Sequence, residues 1–206
     1  MGKYREGLGE DMSKSYFLKR PLDLILAVLG IFFFLPFWLI IIILIWLEKE
    51  KGIFYIQERL GLNNRTFKTI KFRTLYRDKS NNIRISRLGN FLRRTALDES
   101  LQLINILKRE MSFVGPRPLV AEEIGNQPET KERLKVRPGL TGLAQVAVSK
   151  NSPVEEKFKY DLWYIENQNL ILDLKIILFS IIISLLGKWE TARDRLPFRI
   201  FIKNYD

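Results

Sequence analysis

A chain of 206 residues with 34 Lys and Arg against 23 Asp and Glu carries a net charge of +11. It has room for one modest core, and its charge points to an anionic partner such as acidic lipid, nucleic acid or a phosphorylated substrate. With neither His nor Cys present, disulfides, thiol nucleophiles, His-based triads and imidazole or thiolate metal sites are excluded, which leaves any catalysis to carboxylates supported by Lys, Arg or a hard cation such as Mg²⁺.

Residues 1–15 are polar and mixed in charge and read as a leader or tail, with Met12 as a second candidate start. Met1-Gly2 does not open a myristoylation signal, because Glu6 stands where Ser or Thr is needed. The next region, residues 16–50, is a membrane segment: no charge occurs from 24 to 47, a length that crosses a bilayer core as a helix. No small-residue cleavage site follows it, so it is not a secretory signal. Pro36 lies near its centre, where it removes a backbone donor and displaces the carbonyl of Phe32. The segment can therefore span with a kink or return to the face it entered. Lys14, Lys19 and Arg20 before it and Lys49, Lys51 and Arg59 after it favour the cytoplasm for both flanks, against which Glu48, Glu50 and Glu58 weigh. On the residues alone, a kinked span is the simpler expectation.

Residues 51–187 form the third region. Stretches 53–57 and 66–72 read as strands of a hairpin around Gly61-Leu62-Asn63-Asn64. From Arg59 to Arg94 there are eleven Lys or Arg and one acid, Asp78. Lys71 and Arg73 alternate along the second strand and point to one side together, either to bind phosphate or to guard an edge strand. Leu97, Leu101, Ile104 and Leu107 recur at helical spacing, and Thr95 three residues ahead of Asp98 resembles a capping box. Asp98 and Glu99 then stand at the positive end of a helix, where dipole and free amides depress their pKa. An ionised carboxylate there can attack phosphorus while its neighbour holds Mg²⁺ against phosphates. Two acids opening a helix can equally do no more than offset its dipole. Arg93 and Arg94 lie one turn earlier. Arg117, held between Pro116 and Pro118, suits a phosphate clamp or a solvated loop. Residues 137–139, Arg-Pro-Gly, form another rigid turn. A helix is expected over 153–166. The apolar run 170–186, interrupted by Asp173 and Lys175, either lies in a membrane interface or packs as a core helix. Residues 188–206 are a basic and aromatic tail. No glycine-rich nucleotide cradle of standard type occurs.

In order, the blocks K-R-P-L-D (19–23), F-K-T-I-K-F-R-T (67–74), L-R-R-T-A-L-D-E-S-L-Q-L-I-N-I-L-K (92–108), M-S-F-V-G-P-R-P (111–118), V-R-P-G-L-T-G-L-A-Q-V (136–146) and F-K-Y-D-L-W-Y-I-E-N (158–167) resemble the bacterial sugar transferase family, the monotopic phosphoglycosyl transferases, over residues 16–186. The resemblance implies an α+β, mostly helical fold. Its parts would be a re-entrant membrane helix broken at Pro36, a small β-hairpin, and a cytosolic-face catalytic domain with interfacial amphipathic helices. It implies that Asp98 attacks the sugar-bearing phosphate of a UDP-sugar with release of UMP, and that polyprenyl (undecaprenyl) phosphate then takes the sugar phosphate from Asp98. Glu99 would place Mg²⁺ together with Asp98 and assist proton removal. Lys71, Arg73, Arg93, Arg117, Arg137 and Gln145 would hold phosphates or other parts of donor and acceptor. Arg20 and Asp23 would pair at the interface and anchor the helix beside membrane lipids on the cytoplasmic face of the bacterial inner membrane. A homodimer is left open, and nucleic acid is not an expected partner.

Two positions depart from the family pattern. Leu35 stands where Ser often precedes the membrane proline, and Ser149 stands where an Arg meets the nucleotide, with Lys150 as its substitute. The competing functions are a membrane-tethered basic protein that binds nucleic acid or anionic lipid through residues 59–94, and an inactive scaffold of the same fold.

Overall fold

The computed structural model describes residues 16–48, 52–78, 80–120, 128–149 and 151–187. The expected leader and tail, and Lys150, lie outside these residues.

The uncharged run forms α1 (Lys19–Leu47), 29 residues or about 43 Å at 1.5 Å per residue. It is long and apolar enough to cross a membrane. Helical backbone continues through Pro36, so the expected break is not an interruption of the helix. A proline deletes one donor and crowds one carbonyl, which a single turn can absorb. One stripe of α1, with Ala27, Trp38, Ile41 and Ile45, is buried, while Ile25, Leu29, Phe32, Phe33, Ile40 and Ile43 face outward.

Polar groups fix its first turns. Lys19 Nζ donates to Val114 O (2.8 Å), Tyr164 Oη (3.0 Å) and Asp173 Oδ2 (2.5 Å). Asp23 accepts from Ser112 Oγ (2.7 Å) and Phe113 N (3.0 Å). Arg20 donates to Ile106 O (2.6 Å) and Met111 O (3.1 Å), and its NH1 lies 3.9 Å from Asp23. The expected Arg20–Asp23 pair is therefore secondary: both side chains are taken up by backbone and hydroxyl groups of the domain, which are closer and better aligned. Farther along, Gly30 admits Leu103 against the helix, and Trp38 Nε1 donates to Ser100 Oγ at 2.9 Å. The helix rests on the domain along its length.

Strands β1 (Phe54–Leu60) and β2 (Thr66–Phe72) form the expected antiparallel hairpin, with β1 running on to Leu60. Its turn uses Asn63 and Asn64 at φ 55° and 61°, a conformation Asn tolerates better than most residues. A second hairpin, β3 (Leu75–Arg77) with β4 (Ile83–Ile85), follows. Helix α2 (Arg87–Thr95) is capped by Ser86 Oγ, which accepts from Gly89 N at 2.8 Å. The chain then reverses at Ala96 (φ 58°) into a 3₁₀ segment, Leu97–Gln102, that continues as α3 (Leu103–Leu107). Thr95 is thus the last residue of α2, and its hydroxyl donates to Phe91 O and Leu92 O. The expected capping box does not form, because a left-handed Ala96 separates Thr95 from the next helical residue.

Strands β5 (Ser112–Val114) and β6 (Gly139–Thr141) pair in parallel. Around them pack α4 (Pro128–Arg133), α5 (Leu143–Ala147), α6 (Val154–Asn167) and α7 (Leu170–Leu185). The backbones of Gly115 and Gly139 approach so closely that a Cβ on Gly139 would collide with Gly115 N and Thr141 O. Gly139→Ala should therefore force β5 and β6 apart and destabilise the chain by about 1–3 kcal/mol, measurable as a drop in thermal midpoint in detergent. An unchanged midpoint would show that the strands can separate freely.

Two apolar clusters form the core. One joins α1 to β2, α2 and α3 through Phe67, Phe72, Leu92, Leu103 and Ile106. The other joins β5, α5, α6 and α7 through Val114, Leu143, Tyr160, Tyr164 and Ile176, and Phe113 packs against both. Helix α7 buries Asp173, Ile176 and Ile183 but exposes Ile171, Leu174, Leu178, Ile181 and Leu185. The core-helix expectation thus holds for one face, and the opposite face is apolar and exposed. Uncovered apolar faces on α1 and α7 mark surfaces for a membrane or another apolar partner.

Candidate active site

The 3₁₀ segment carrying Asp98 and Glu99 is held from three sides. Trp38 of α1 reaches Ser100, whose hydroxyl donates to Leu97 O at 2.7 Å, and Asn105 Nδ2 donates to Lys68 O of β2 at 2.8 Å. This fixes the carboxylates opposite β2, where Lys71 Nζ lies 2.5 Å from Glu99 Oε1. From the other side the Gly115–Leu119 loop brings Arg117 NH2 to 3.1 Å from the same oxygen.

Electrostatics separate the two acids. Burial alone would push Glu99 up, but Arg117 and Lys71 outweigh it and hold the carboxyl down to about 2. Asp98 moves the other way, to about 7: burial raises it first and the negative charge of Glu99 second, while Lys71 and Arg93 pull it down less. The expectation that a helix terminus depresses both acids is corrected for Asp98. Two cations converge on one carboxylate and, among the described residues, none is in direct contact with the other. Paired carboxylates whose environments drive their proton affinities apart are a recurrent sign of divided chemical roles. Glu99 keeps 18 % of its side chain exposed, so an incoming group can reach it.

A cleft beside Glu99 is lined by Arg59, Thr69, Lys71, Gln102, Arg117, Pro118 and Gly139. Of the residues singled out in the sequence, Lys71, Glu99 and Arg117 meet there, and Asp98 and Arg93 are within electrostatic range. Arg73, Arg137 and Gln145 do not line it. β2 ends at Phe72, so Arg73 leaves the strand and donates to Phe54 O (3.3 Å) instead of pointing alongside Lys71. Arg137 donates to Arg109 O (3.0 Å), and Gln145 sits on α5. Arg59, Thr69 and Gln102 are additions. Two of them were open to discovery: Thr69 shares a strand face with Lys71, and Gln102 lies one helical turn after Glu99.

The family model of the bacterial sugar transferases matches residues 14–187. The exopolysaccharide production protein ExoY of Sinorhizobium fredii is 34% identical over 188 residues, covering 79% of this chain and 83% of that protein. The UDP-N-acetylgalactosamine-undecaprenyl-phosphate N-acetylgalactosaminephosphotransferase of Aeromonas hydrophila is 33% identical over 187 residues, 83% of this chain and 44% of that protein. The UDP-glucose:undecaprenyl-phosphate glucose-1-phosphate transferase of Xanthomonas campestris pv. campestris is 34% identical over 196 residues, 85% of this chain and 40% of that protein. The chain thus spans most of the first relative and under half the length of the other two. A match that takes in α1, the Asp98–Glu99 segment, the Arg117 loop and both C-terminal helices makes the chain a member of the bacterial sugar transferase family.

Proposed function

We propose that this chain is a phosphoglycosyl transferase that moves a sugar 1-phosphate from a UDP-sugar to polyprenyl (undecaprenyl) phosphate through Asp98. The observation that carries the reading is a carboxylate pair, one acid clamped by two cations and the other without a direct counter-ion among the described residues, set beside a long helix with an exposed apolar face. The relatives named for undecaprenyl-phosphate sugar phosphotransfer support it.

In the first half-reaction an Asp98 oxygen attacks the sugar-bearing phosphorus. The new O–P bond forms as the phosphoanhydride bond breaks, and the electron pair leaves on UMP. In the second, a phosphate oxygen of the polyprenyl phosphate attacks the same phosphorus. The acyl phosphate bond breaks, the Asp98 carboxylate is restored, and a polyprenyl diphosphate sugar is released. Lys71 and Arg117 converge where the phosphates must lie. Arg117 keeps 48% of its side chain exposed and so can shift from Glu99 to a phosphate oxygen. Glu99, held down to about 2, is a weak proton acceptor, which favours cation holding over proton removal as its role.

Oxygen ligands from Asp98 and Glu99 suit Mg²⁺, and Asp98, raised by burial first and by the charge of Glu99 second, has an environment that a cation would relieve. Among the described residues no three ligand side chains group together, so substrate phosphates would complete the shell. When bound, Mg²⁺ supplies neutralisation between an anionic nucleophile and an anionic electrophile.

In this reading α1 does not cross to the far side of the bilayer, and a bend at Pro36 within continuous helical backbone would return its end to the face it entered. A spanning helix must leave the extramembrane domain for about 30 Å of hydrocarbon, yet α1 contacts the domain at Lys19, Asp23, Gly30, Trp38 and Ile45. The site then faces the cytoplasm at the bacterial inner membrane, where nucleotide sugars are available. A polyelectrolyte role for residues 59–94 is less well supported, because Arg59, Lys71, Arg73, Arg77, Arg84 and Arg94 all donate to acceptors within the chain.

The test is mass spectrometry of enzyme in nanodiscs quenched during turnover with a panel of UDP-sugars and Mg²⁺. A sugar phosphate adduct on the peptide containing Asp98, with UMP as the released nucleotide, is expected. Release of UDP, or turnover with each donor without an adduct, would reject the covalent route.

A further inference from the structure

The loop that presents Arg117 cannot be held in the usual way. Pro116 and Pro118 have no amide hydrogen, so the loop is fixed largely through its carbonyls, and four in succession are taken by three elements, β6, α4 and β1. Pro116 O accepts from Gly139 N (2.9 Å), Arg117 O from Arg133 NH2 (2.9 Å), Pro118 O from Arg59 NH1 (3.1 Å) and Leu119 O from Leu60 N (2.9 Å). The donor to Arg117 itself is the side chain of a residue that does not line the cleft beside Glu99. Arg133 is buried, its NH2 lies 2.9 Å from Asp161 Oδ2 on α6, and its guanidinium stacks 4.2 Å from the centre of the Phe158 ring. Both partners of this ion pair keep only 4% of their side chains exposed.

A buried ion pair is weak evidence for stability, because desolvation offsets much of the attraction and apolar residues of similar volume often serve as well. What an apolar pair cannot do is donate to Arg117 O along a fixed direction. The planar guanidinium reaches the Arg117 carbonyl and the Asp161 carboxylate through the same nitrogen and lies over the Phe158 ring, which restricts its orientation. We propose that Asp161 and Arg133 are positioning residues that set Arg117 against Glu99. A continuous path runs from Asp161 through Arg133 and the Arg117 backbone to the Arg117 side chain and Glu99. The proposal rests on the reading of Arg117 as part of the phosphate site.

The test is a double-mutant cycle on the full chain in nanodiscs, following UMP release with kcat and KM resolved and thermal midpoints recorded. Arg133→Lys keeps a charge for Asp161 but loses the planar fork. It is expected to lower kcat/KM about tenfold with Arg117 present, and by no more than about twofold in an Arg117→Ala background, because the two residues act as one unit. An apolar replacement of the pair, Arg133→Met with Asp161→Leu, is expected to fold and to show the same loss. Losses that multiply in the double variant, or full activity in the apolar pair, would overturn the positioning role. An Arg117→Ala variant with unchanged turnover would instead remove the phosphate-site reading beneath it, and the proposal with it.

Discussion

Asp98→Asn is expected to lose at least about 10⁴-fold in kcat, as removal of a covalent nucleophile does elsewhere, and at the same time to make the protein more stable. The two effects have one source. In the folded chain the Asp98 carboxyl is raised to about 7 by burial and by the charge of Glu99, against about 3.9 for a free aspartate. A carboxyl raised on folding opposes folding wherever it is ionised. The cost is absent below the unfolded value, grows between the two values and is complete above pH 7. A neutral amide of the same shape removes that cost. After discounting for solvent screening, a gain of about 1–2 kcal/mol is expected at pH 8 in chelator. A variant that is inactive and also less stable would mean that Asp98 serves the fold.

Glu99 supplies the contrast. Glu99→Gln removes the charge that Lys71 and Arg117 both contact, so it should lower stability where Asp98→Asn raises it. Adjacent residues of like chemistry thus respond with opposite signs, because one is surplus charge and the other is the centre of an ion cluster. Activity measured alone would not separate them, since both variants are expected to be impaired. Thermal midpoints in metal-free buffer do.

How much of this was legible in the sequence depends on the distance over which each feature is decided. The hairpin turn, α6 and α7 follow from local residue types, and they fall where periodicity and turn chemistry place them. The Asp98–Glu99 pair was legible as a candidate, but its electrostatics were not. The dipole argument treats both acids alike, whereas the difference between them comes from Lys71, 28 residues away, and Arg117, 18 residues away. The capping box failed because Ala96 adopts positive φ, which nothing in its side chain announces. Alternation along β2 named the wrong partner for Lys71, because the strand stops one residue before Arg73. Asp173 read as an interruption of an apolar run. Its meaning lies in Lys19, 154 residues earlier.

That pair carries the second large effect. Lys19 and Asp173 keep 9% and 2% of their side chains exposed. Tyr16 and Tyr164 both donate to the Asp173 carboxylate, at 2.8 and 2.7 Å. Asp173→Ala would leave the Lys19 ammonium buried with the Val114 carbonyl and a phenol oxygen as its described contacts and the Asp23 carboxylate within electrostatic range but engaged elsewhere. Such an unpaired charge costs about 3–5 kcal/mol, and in a chain of ordinary stability this should appear as a large loss of thermal midpoint and rapid proteolysis in detergent. Lys19→Met combined with Asp173→Leu should recover much of the loss, though the Tyr16 phenol then loses its acceptor while Tyr164 keeps the Val114 carbonyl at 3.1 Å. A midpoint within about two degrees of the parent in Asp173→Ala would refute the argument, since a 1 kcal/mol change already shifts a domain of this size by about 2–4 °C. The consequence reaches the active site through one strand. Asp23 holds Ser112 and Phe113, and Lys19 holds Val114. The residues that follow are Gly115, Pro116 and Arg117. The docking of α1 and the placement of the cation on Glu99 are therefore set at the two ends of a single short segment, so damage to the anchor should misplace Arg117 before the fold is lost.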